Sequence, residues 1–464
     1  MGRYFYKVIQ IQKKMKKLNF LAIAMLCLAT IVTSCSSDDS DEPIVLAPET
    51  LTGNITTTTN LTADKVWILS GTVRVMDGGV LNIAAGTTIR GDKASKAALI
   101  IERGGKINAI GTANAPIVFT SNQAVNTRGI GDWAGVVICG KGIINQAGGT
   151  SQYEGGILGA DVANYGGTDA ADNSGTMKYV RIEYAGIAYA ADKEINSLTL
   201  AAVGSGTTLE NIQVSYGGDD GFEFFGGSVN AKNLIAYRCT DDDFDFEYGY
   251  SGHIQYAVSI KDPLIFDNSS SGASNGIECD NGSTEVVTPV NKPLLSNFTF
   301  IGPGVGANAK HNSGVLFRKG TAFVLRNSII VDHLKAGFEL TTSVASDRLA
   351  TGESDFKNNL VFGNEMPYKV SGTLGTTFTT AAILTAFATN STNANVTLAN
   401  TAAAGITSTI LTAPNLLLTS TSPAKTGASF TGLTGFDVVT YRGAMNTTDW
   451  STGWASWTPG TNVY

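Results

Sequence analysis

Short runs of Val, Ile, Leu and Phe alternate along most of the chain with clusters of Gly, Asn, Asp and Thr. Few long stretches carry a helical period, so the pattern predicts many short strands joined by tight turns. The strands recur. "VMDGGVLNIAAGTTI" (75–89) is followed by "IERGGKINAIGTANAPIVF" (101–119), where Gly78-Gly79 returns as Gly104-Gly105 and Gly86-Thr87 as Gly111-Thr112. Farther on, "LENIQVSYGGDDGFEFFGG" (209–227) is followed by "AKNLIAYRCTDDDFDFEYG" (231–249). Asn211 and Asn233, Asp219 and Asp241, and Phe222 and Phe244 match there at an offset of 22. Looser copies follow at 274–282, 312–320 and 335–343.

A repeat of this length, made only of strands and turns, predicts a parallel β-solenoid, because stacked coils bury an apolar face that one coil cannot. Variable coil length, with insertions at 261–275 and 283–293, favours an all-β, right-handed parallel β-helix over a β-propeller, whose repeats are longer. Residues 63–370 are expected to form the β-helix. Residues 371–464 are expected to cap its last open coil, with a short helix within 376–391. Equivalent residues should lie about 4.8 Å apart, which stacks Phe222 on Phe244 and sets Asn211 on Asn233 as an amide ladder. Trp450, Trp454 and Trp457, three of the five tryptophans, are read as part of the cap, with a sugar-stacking platform as the functional alternative.

The N-terminus follows another pattern. Lys13, Lys14, Lys16 and Lys17 precede an apolar stretch at 20–32, which has signal-peptide length and is too short for a convincing membrane span. Residues 1–34 are therefore read as a signal. They end in Val32-Thr33-Ser34-Cys35, which resembles a bacterial lipobox. That resemblance implies cleavage before Cys35 and lipidation there by diacylglycerol and fatty acyl chains such as palmitate, enough for stable anchoring. Residues 35–62, opening on "SSDDSDE", are expected to form an acidic, Thr-rich tether.

Charge narrows the partners. The chain has a net charge of −7, and without residues 1–34 it keeps 26 basic residues against 39 acidic ones. That balance disfavours nucleic acid and anionic lipid surfaces and permits cation binding. Cys139, Cys239 and Cys279 are an odd set with no CxxC, so they are expected to be buried small apolar residues.

Eight carboxylates crowd the strongest repeat: Asp219, Asp220, Glu223, Asp241, Asp242, Asp243, Asp245 and Glu247. The offset of 22 sets Asp219 over Asp241, Asp220 over Asp242 and Glu223 over Asp245. Like charges that close repel unless protonated, screened or bridged by a cation. Hard oxygen ligands with glycine carbonyls nearby suit Ca²⁺, which makes Asp219, Asp220, Glu223, Asp241, Asp242, Asp243 and Asp245 the metal candidates. Solvated Asx turns are the plain alternative. A polysaccharide lyase or glycoside hydrolase is the other, with Asp219, Asp220, Asp241, Asp242 and Asp243 as candidate catalytic acids; an inverting hydrolase needs two carboxyls about 6.5–9.5 Å apart. "GDDG" and "SGH" (251–253) resemble polygalacturonase elements only loosely, because no Arg-x-Lys clamp follows. Arg238 is expected to pair with Asp241 or Asp243, and His253, His311 and His333 are too scattered for a transition-metal site.

"IGTANAPIVFTS", "GDWAGVVICGKGIIN", "YGGTDAADNSGTMKYVRIEYAG" and the repeat at 209–249 together resemble a family of Bacteroidetes-type outer-membrane lipoproteins, over roughly Val66 to the C-terminus. The resemblance implies a right-handed β-helix on an outer-membrane lipid anchor, exposed at the cell surface, and no established activity. The leading expectation is a binding or accessory module whose partner is a glycan or a protein such as a TonB-dependent transporter. A carbohydrate-active enzyme and an adhesion or structural surface protein are the alternatives.

Overall fold

The computed structural model describes residues 46–464 except 157, 191–192, 270–271 and 373–375. The signal, Cys35 and the first part of the expected tether lie outside the described residues. Each early coil has three short strands. Val66–Leu69, Thr72–Val75 and Val80–Ile83 make one coil, and Thr88–Gly91, Ala98–Ile101 and Lys106–Ile110 make the next. All three pair in parallel, with Val66 beside Thr88, Thr72 beside Ala98 and Val80 beside Lys106. The chain is an all-β parallel β-helix, as the repeat predicts.

From Gly175–Glu183 onward, two faces fuse into one bent strand per coil, continued by Thr208–Ser215, Asn230–Tyr237, His253–Ile260 and Leu294–Ile301. The result is a 17-stranded sheet on two faces and an 11-stranded sheet on the third. The bend falls on Tyr179, Asn211, Asn233, Tyr256 and Asn297, all at positive φ between 52° and 62°. Asparagine tolerates this left-handed conformation better than most residues. The match of Asn211 to Asn233 therefore marks a corner of the coil. An amide ladder does exist, but elsewhere: Asn108 Nδ2 donates to Asn82 Oδ1, and Asn82 Nδ2 to Asn60 Oδ1, each at 2.9 Å.

Side chains alternate across each strand, as the pleat requires. In Phe222–Phe225, Phe222 and Phe224 enter the core, where their rings lie 5.1 and 4.9 Å from Phe244 and Phe246. Glu223 and Phe225 point the other way.

One expected boundary changes. Pro48–Leu51, Asn54–Ile55 and Thr58–Leu61 are strands, and they pair with Val66–Leu69, Thr72–Val75 and Val80–Ile83. The β-helix thus begins at Pro48, inside the stretch read as tether to residue 62. Ile55 and Leu61 are buried there, so this Thr-rich segment supplies enough inward apolar positions for a coil. At the other end, helix Ala381–Ala388 lies within the expected stretch and is capped by the Thr380 side chain, which accepts from the Ile383 N–H. Leu384 and Ala388, with Leu349 of helix Ser343–Thr351, join the end of the core. The helices close that end.

The tryptophan segment does not. The closing stretch runs back along the flank of the larger sheet, and coil after coil donates to its backbone. Asn358 Nδ2 reaches Gly427 O at 3.1 Å, Asn327 Nδ2 reaches Ser429 O at 3.2 Å, and Asn297 Nδ2 reaches Tyr441 O at 2.9 Å. Gln213 Nε2 reaches Ser456 O at 2.7 Å and Arg181 Nη1 reaches Trp454 O at 3.3 Å. Beneath it lies a second apolar cluster, in which Ile235, Tyr237, Val258, Ile260 and Val331 meet Met445 and Trp454. The outer face of these strands is apolar and their corner amides need acceptors. One segment supplies both.

Candidate functional site

The turn 217–221 carries the chain from a corner into strand Phe222–Phe225. Its glycines allow close approach: a Cβ on Gly218 would sit 2.2 Å from the Gly186 carbonyl oxygen. At this turn, side-chain oxygens form a ladder along the stack. The Asp220 N–H donates to Asn196 Oδ1 at 3.2 Å, the Asp242 N–H to Asp220 Oδ1 at 2.9 Å, and the Asn275 N–H to Asp242 Oδ1 at 2.6 Å. The Ser313 N–H then donates to Asn275 Oδ1 at 3.1 Å. Asn, Asp, Asp and Asn do the same structural work in successive coils, and an amide would serve at every step.

On the 11-stranded sheet the outward positions stack as Thr199, Glu223, Asp245 and Glu278. They should be exposed. Thr199, Glu223 and Asp245 are buried instead, and the excursion between Cys139 and Gly175, whose strands Thr150–Gln152 and Asn164–Gly166 form an antiparallel pair, brings the Tyr153 hydroxyl to Thr199 Oγ1 at 3.4 Å. Tyr153 and Tyr165 from that excursion pack on Phe225, with ring centroids at 6.1 and 6.0 Å. Asn196 Nδ2 donates to Glu223 Oε2 at 3.1 Å. What remains open is a groove of about 310 Å³, walled by Glu154 and Tyr248 and floored by Asp219, Asp220, Glu223, Asp245, Glu247 and Glu278.

Two sets of three carboxylates have oxygens within 4.8 Å of one another, Asp219 with Asp220 and Asp241, and Asp220 with Glu223 and Asp245. Glu223 Oε1 and Asp245 Oδ1 are buried without a hydrogen-bond partner. Burial, then the charges of Asp219, Asp241 and Asp242, pushes Asp220 well above the usual carboxylate range. Burial, then Asp245 and Asp220, does the same to Glu223; burial, then Glu247 and Glu278, does it to Asp245. Burial, then Glu278, raises Asp242 to about 7. The cluster carries more negative charge than its surroundings solvate.

Asp243 stands apart. It and Lys261 are both fully buried, with Nζ 3.2 Å from Oδ1, and Ser259 Oγ also donates to the carboxylate. Lys261 Nζ donates to the Asp241 carbonyl as well. Arg238 was expected to pair with Asp241 or Asp243; it pairs with Asp262, at 3.3 Å. The reason is direction: the Arg238 side chain leaves its corner over the Tyr216 and Tyr237 rings, on the flank side. Of the tryptophans, Trp454 is fully buried, Trp450 stacks on it at 6.2 Å, and Trp457 packs edge-on to Tyr237 at 5.2 Å. Cys139, Cys239 and Cys279 are free and buried.

A family model described as pectate-lyase-like beta helix domain matches residues 53–407. The chain belongs to this family. No curated protein and no solved structure matches it. In this pectate-lyase-like β-helix, the five acids considered for catalysis are divided in their work. Asp220 and Asp242 hold the turn ladder, Asp243 is locked to Lys261, and Asp219 and Asp241 flank Asp220. The oxygens of each triad lie closer together than the roughly 6.5–9.5 Å that leaves room for a water in an inverting pair. Two oxygens on one Ca²⁺ are at most about 5 Å apart, twice the bond length, so both triads have a spacing that one ion can span. The basic side chain lining the groove, Arg318, is paired with Glu278 and Asp280. Burial opposes its charge, but those carboxylates raise its pKa further, which removes it as a proton acceptor.

The Cys139–Gly175 excursion is the element of this site that the repeat hides. Its signal was Tyr153 and Tyr165 in a stretch otherwise rich in Gly and Ala, two large rings that need a surface to cover.

Proposed function

We propose that this protein is a binding module of the outer membrane, held by a lipid on Cys35 and facing outward, whose acidic groove takes a hard divalent cation, Ca²⁺, and through it a glycan. The observation that carries the reading is the pair of buried, unpartnered oxygens on Glu223 and Asp245 within a carboxylate set of ion-spanning geometry. Buried carboxylate oxygens without partners are costly, and a cation of two charges removes that cost. Binding is favoured over catalysis because Asp220, Asp242 and Asp243 have structural partners and Arg318 is held protonated. A protein partner such as a TonB-dependent transporter would meet the module at the same surface of the membrane.

The test is a thermal melt of the chain in EDTA against a Ca²⁺ titration. A ligand bound only by the folded state stabilises it by about 2.7 kcal/mol at a hundred times its Kd, so the melting temperature should climb with Ca²⁺. A melting curve that does not move at millimolar Ca²⁺ rejects the site. Glycan arrays with and without Ca²⁺ then read the second half of the proposal, and release of reducing ends or of unsaturated product would replace binding with catalysis.

A further inference from the structure

Beside the acidic groove, on the other side of the turn that follows Tyr216, lies a larger groove of about 510 Å³ with the opposite chemistry. Tyr184, Tyr216 and Arg238 occupy the same corner of three successive coils, all at positive φ, 61°, 56° and 60°. Glycine would sit there without strain, whereas three large side chains cost backbone energy at each step. Those side chains build a stacked column along one wall. The Tyr184 and Tyr216 rings stack at 5.2 Å, and the Arg238 guanidinium lies 5.4 Å from the Tyr216 ring. Trp457 of the flank segment forms the facing wall, and Ile130, 37 % exposed, forms the rim.

The charged residues lining this groove, Arg128 and Arg238, are basic. Arg128 lines it and donates to the Pro459 and Asn462 carbonyls at 3.2 and 3.0 Å. The Nε atoms of Arg128 and Arg238 are buried without a hydrogen-bond partner. Behind Arg128 lie Arg90, which donates to the Tyr464 main-chain oxygen, and Arg181, which is paired with Glu183, while Arg238 is paired with Asp262. In a chain with a net charge of −7, this is a local positive excess on an aromatic floor. A large, mostly apolar groove with a few convergent polar groups is the usual form of a small-ligand site. Aromatic faces accept the C–H face of a pyranose ring, and guanidiniums accept carboxylate or sulfate.

We infer that this groove is a second, cation-independent subsite for an anionic sugar residue, seated against the half-buried Trp457 ring with its charged group toward Arg128 and Arg238. It does not rest on the Ca²⁺ reading.

The protein in EDTA is titrated by calorimetry with oligosaccharides bearing carboxylates, others bearing sulfates, a neutral hexose oligomer and an acidic peptide. Saturable binding of a carboxylated or a sulfated saccharide, weakened by salt, supports the subsite and names its charged group. Ile130→Glu, at the exposed rim, should weaken that binding about tenfold or more without moving the melting temperature; Arg238→Gln should weaken it too, and also lower the melting temperature because it leaves Asp262 unpaired. Asp220→Asn should leave it unchanged. Absence of binding in EDTA, equal binding of the neutral oligomer or the acidic peptide, or an unchanged affinity in Ile130→Glu would overturn the inference.

Discussion

The Asp242 N–H donates to Oδ1 of Asp220 across one coil, at 2.9 Å, so a residue of the acidic cluster is also a strut of the turn. The two roles separate by substitution. Asp220→Asn keeps an acceptor for that N–H and removes the charge; Asp220→Ala removes both. In the cation-free chain, Asp220→Asn should raise the melting temperature and Asp220→Ala should lower stability by about 1–3 kcal/mol, the cost of an unmade buried bond. Both should abolish the response to Ca²⁺. Paired melts of the two variants, with EDTA and with Ca²⁺, check this.

Titration of the same cluster sets a pH trend. Asp242 and Glu278 are raised to about 7, by burial first. A carboxylate whose folded pKa is raised contributes stability that is complete below its unfolded pKa and is lost as pH rises through the folded value. The cation-free chain should therefore lose stability as pH rises from about 4 to about 7. Bound Ca²⁺ favours the ionised carboxylates and should flatten that slope. His311 and His333, lowered by burial to about 4 and about 3, act in the opposite sense below pH about 6.5, so the part of the slope that Ca²⁺ removes is what reads the carboxylates. Urea unfolding midpoints across that pH range, with and without Ca²⁺, make the measurement.

Lys261 and Asp243 make a fully buried ion pair. Removing one partner strands the other charge. Lys261→Met should cost about 3–5 kcal/mol, and adding Asp243→Asn should recover much of it, since a buried pair is often no better than a neutral replacement. A double-mutant cycle by chemical denaturation gives the coupling. Affinity for an anionic saccharide should stay unchanged throughout.

Trp454 is fully buried beneath the flank segment, with Nε1 donating to the Trp450 carbonyl at 2.6 Å. Trp454→Ala should destabilise by about 3–5 kcal/mol, whereas a tryptophan serving only as a sugar platform could be removed at little cost to stability. Denaturant midpoints for Trp454→Ala and Trp457→Ala separate the two kinds of residue.

The core of the fold could be read from the chain because its repeat is local. Phe222 and Phe244 match in sequence and stack in space for the same reason, a coil of constant length. Asp220 over Asp242 and Glu223 over Asp245 follow from that register. What escaped is what breaks the period. The Arg238–Asp262 and Lys261–Asp243 pairs depend on which side of a corner each side chain leaves, and no offset encodes it. The Cys139–Gly175 excursion has no copy to compare with. The flank segment meets the coils through side chains bonding to its backbone, a contact in which the residues of the segment itself leave little trace; only the buried tryptophans mark it, and they suit a cap equally well.

That segment also changes how the molecule should come apart. In a plain stack each repeat touches only its neighbours, and stability is a sum of local terms that lets the ends fray. Here one stretch of chain is tied to Asn358 near one end and, through Tyr464, to Arg90 near the other. An end coil cannot peel away without disturbing contacts made by coils far down the stack. The β-helix should therefore unfold in one concerted transition, with protection from hydrogen exchange nearly uniform from the first coils to the last.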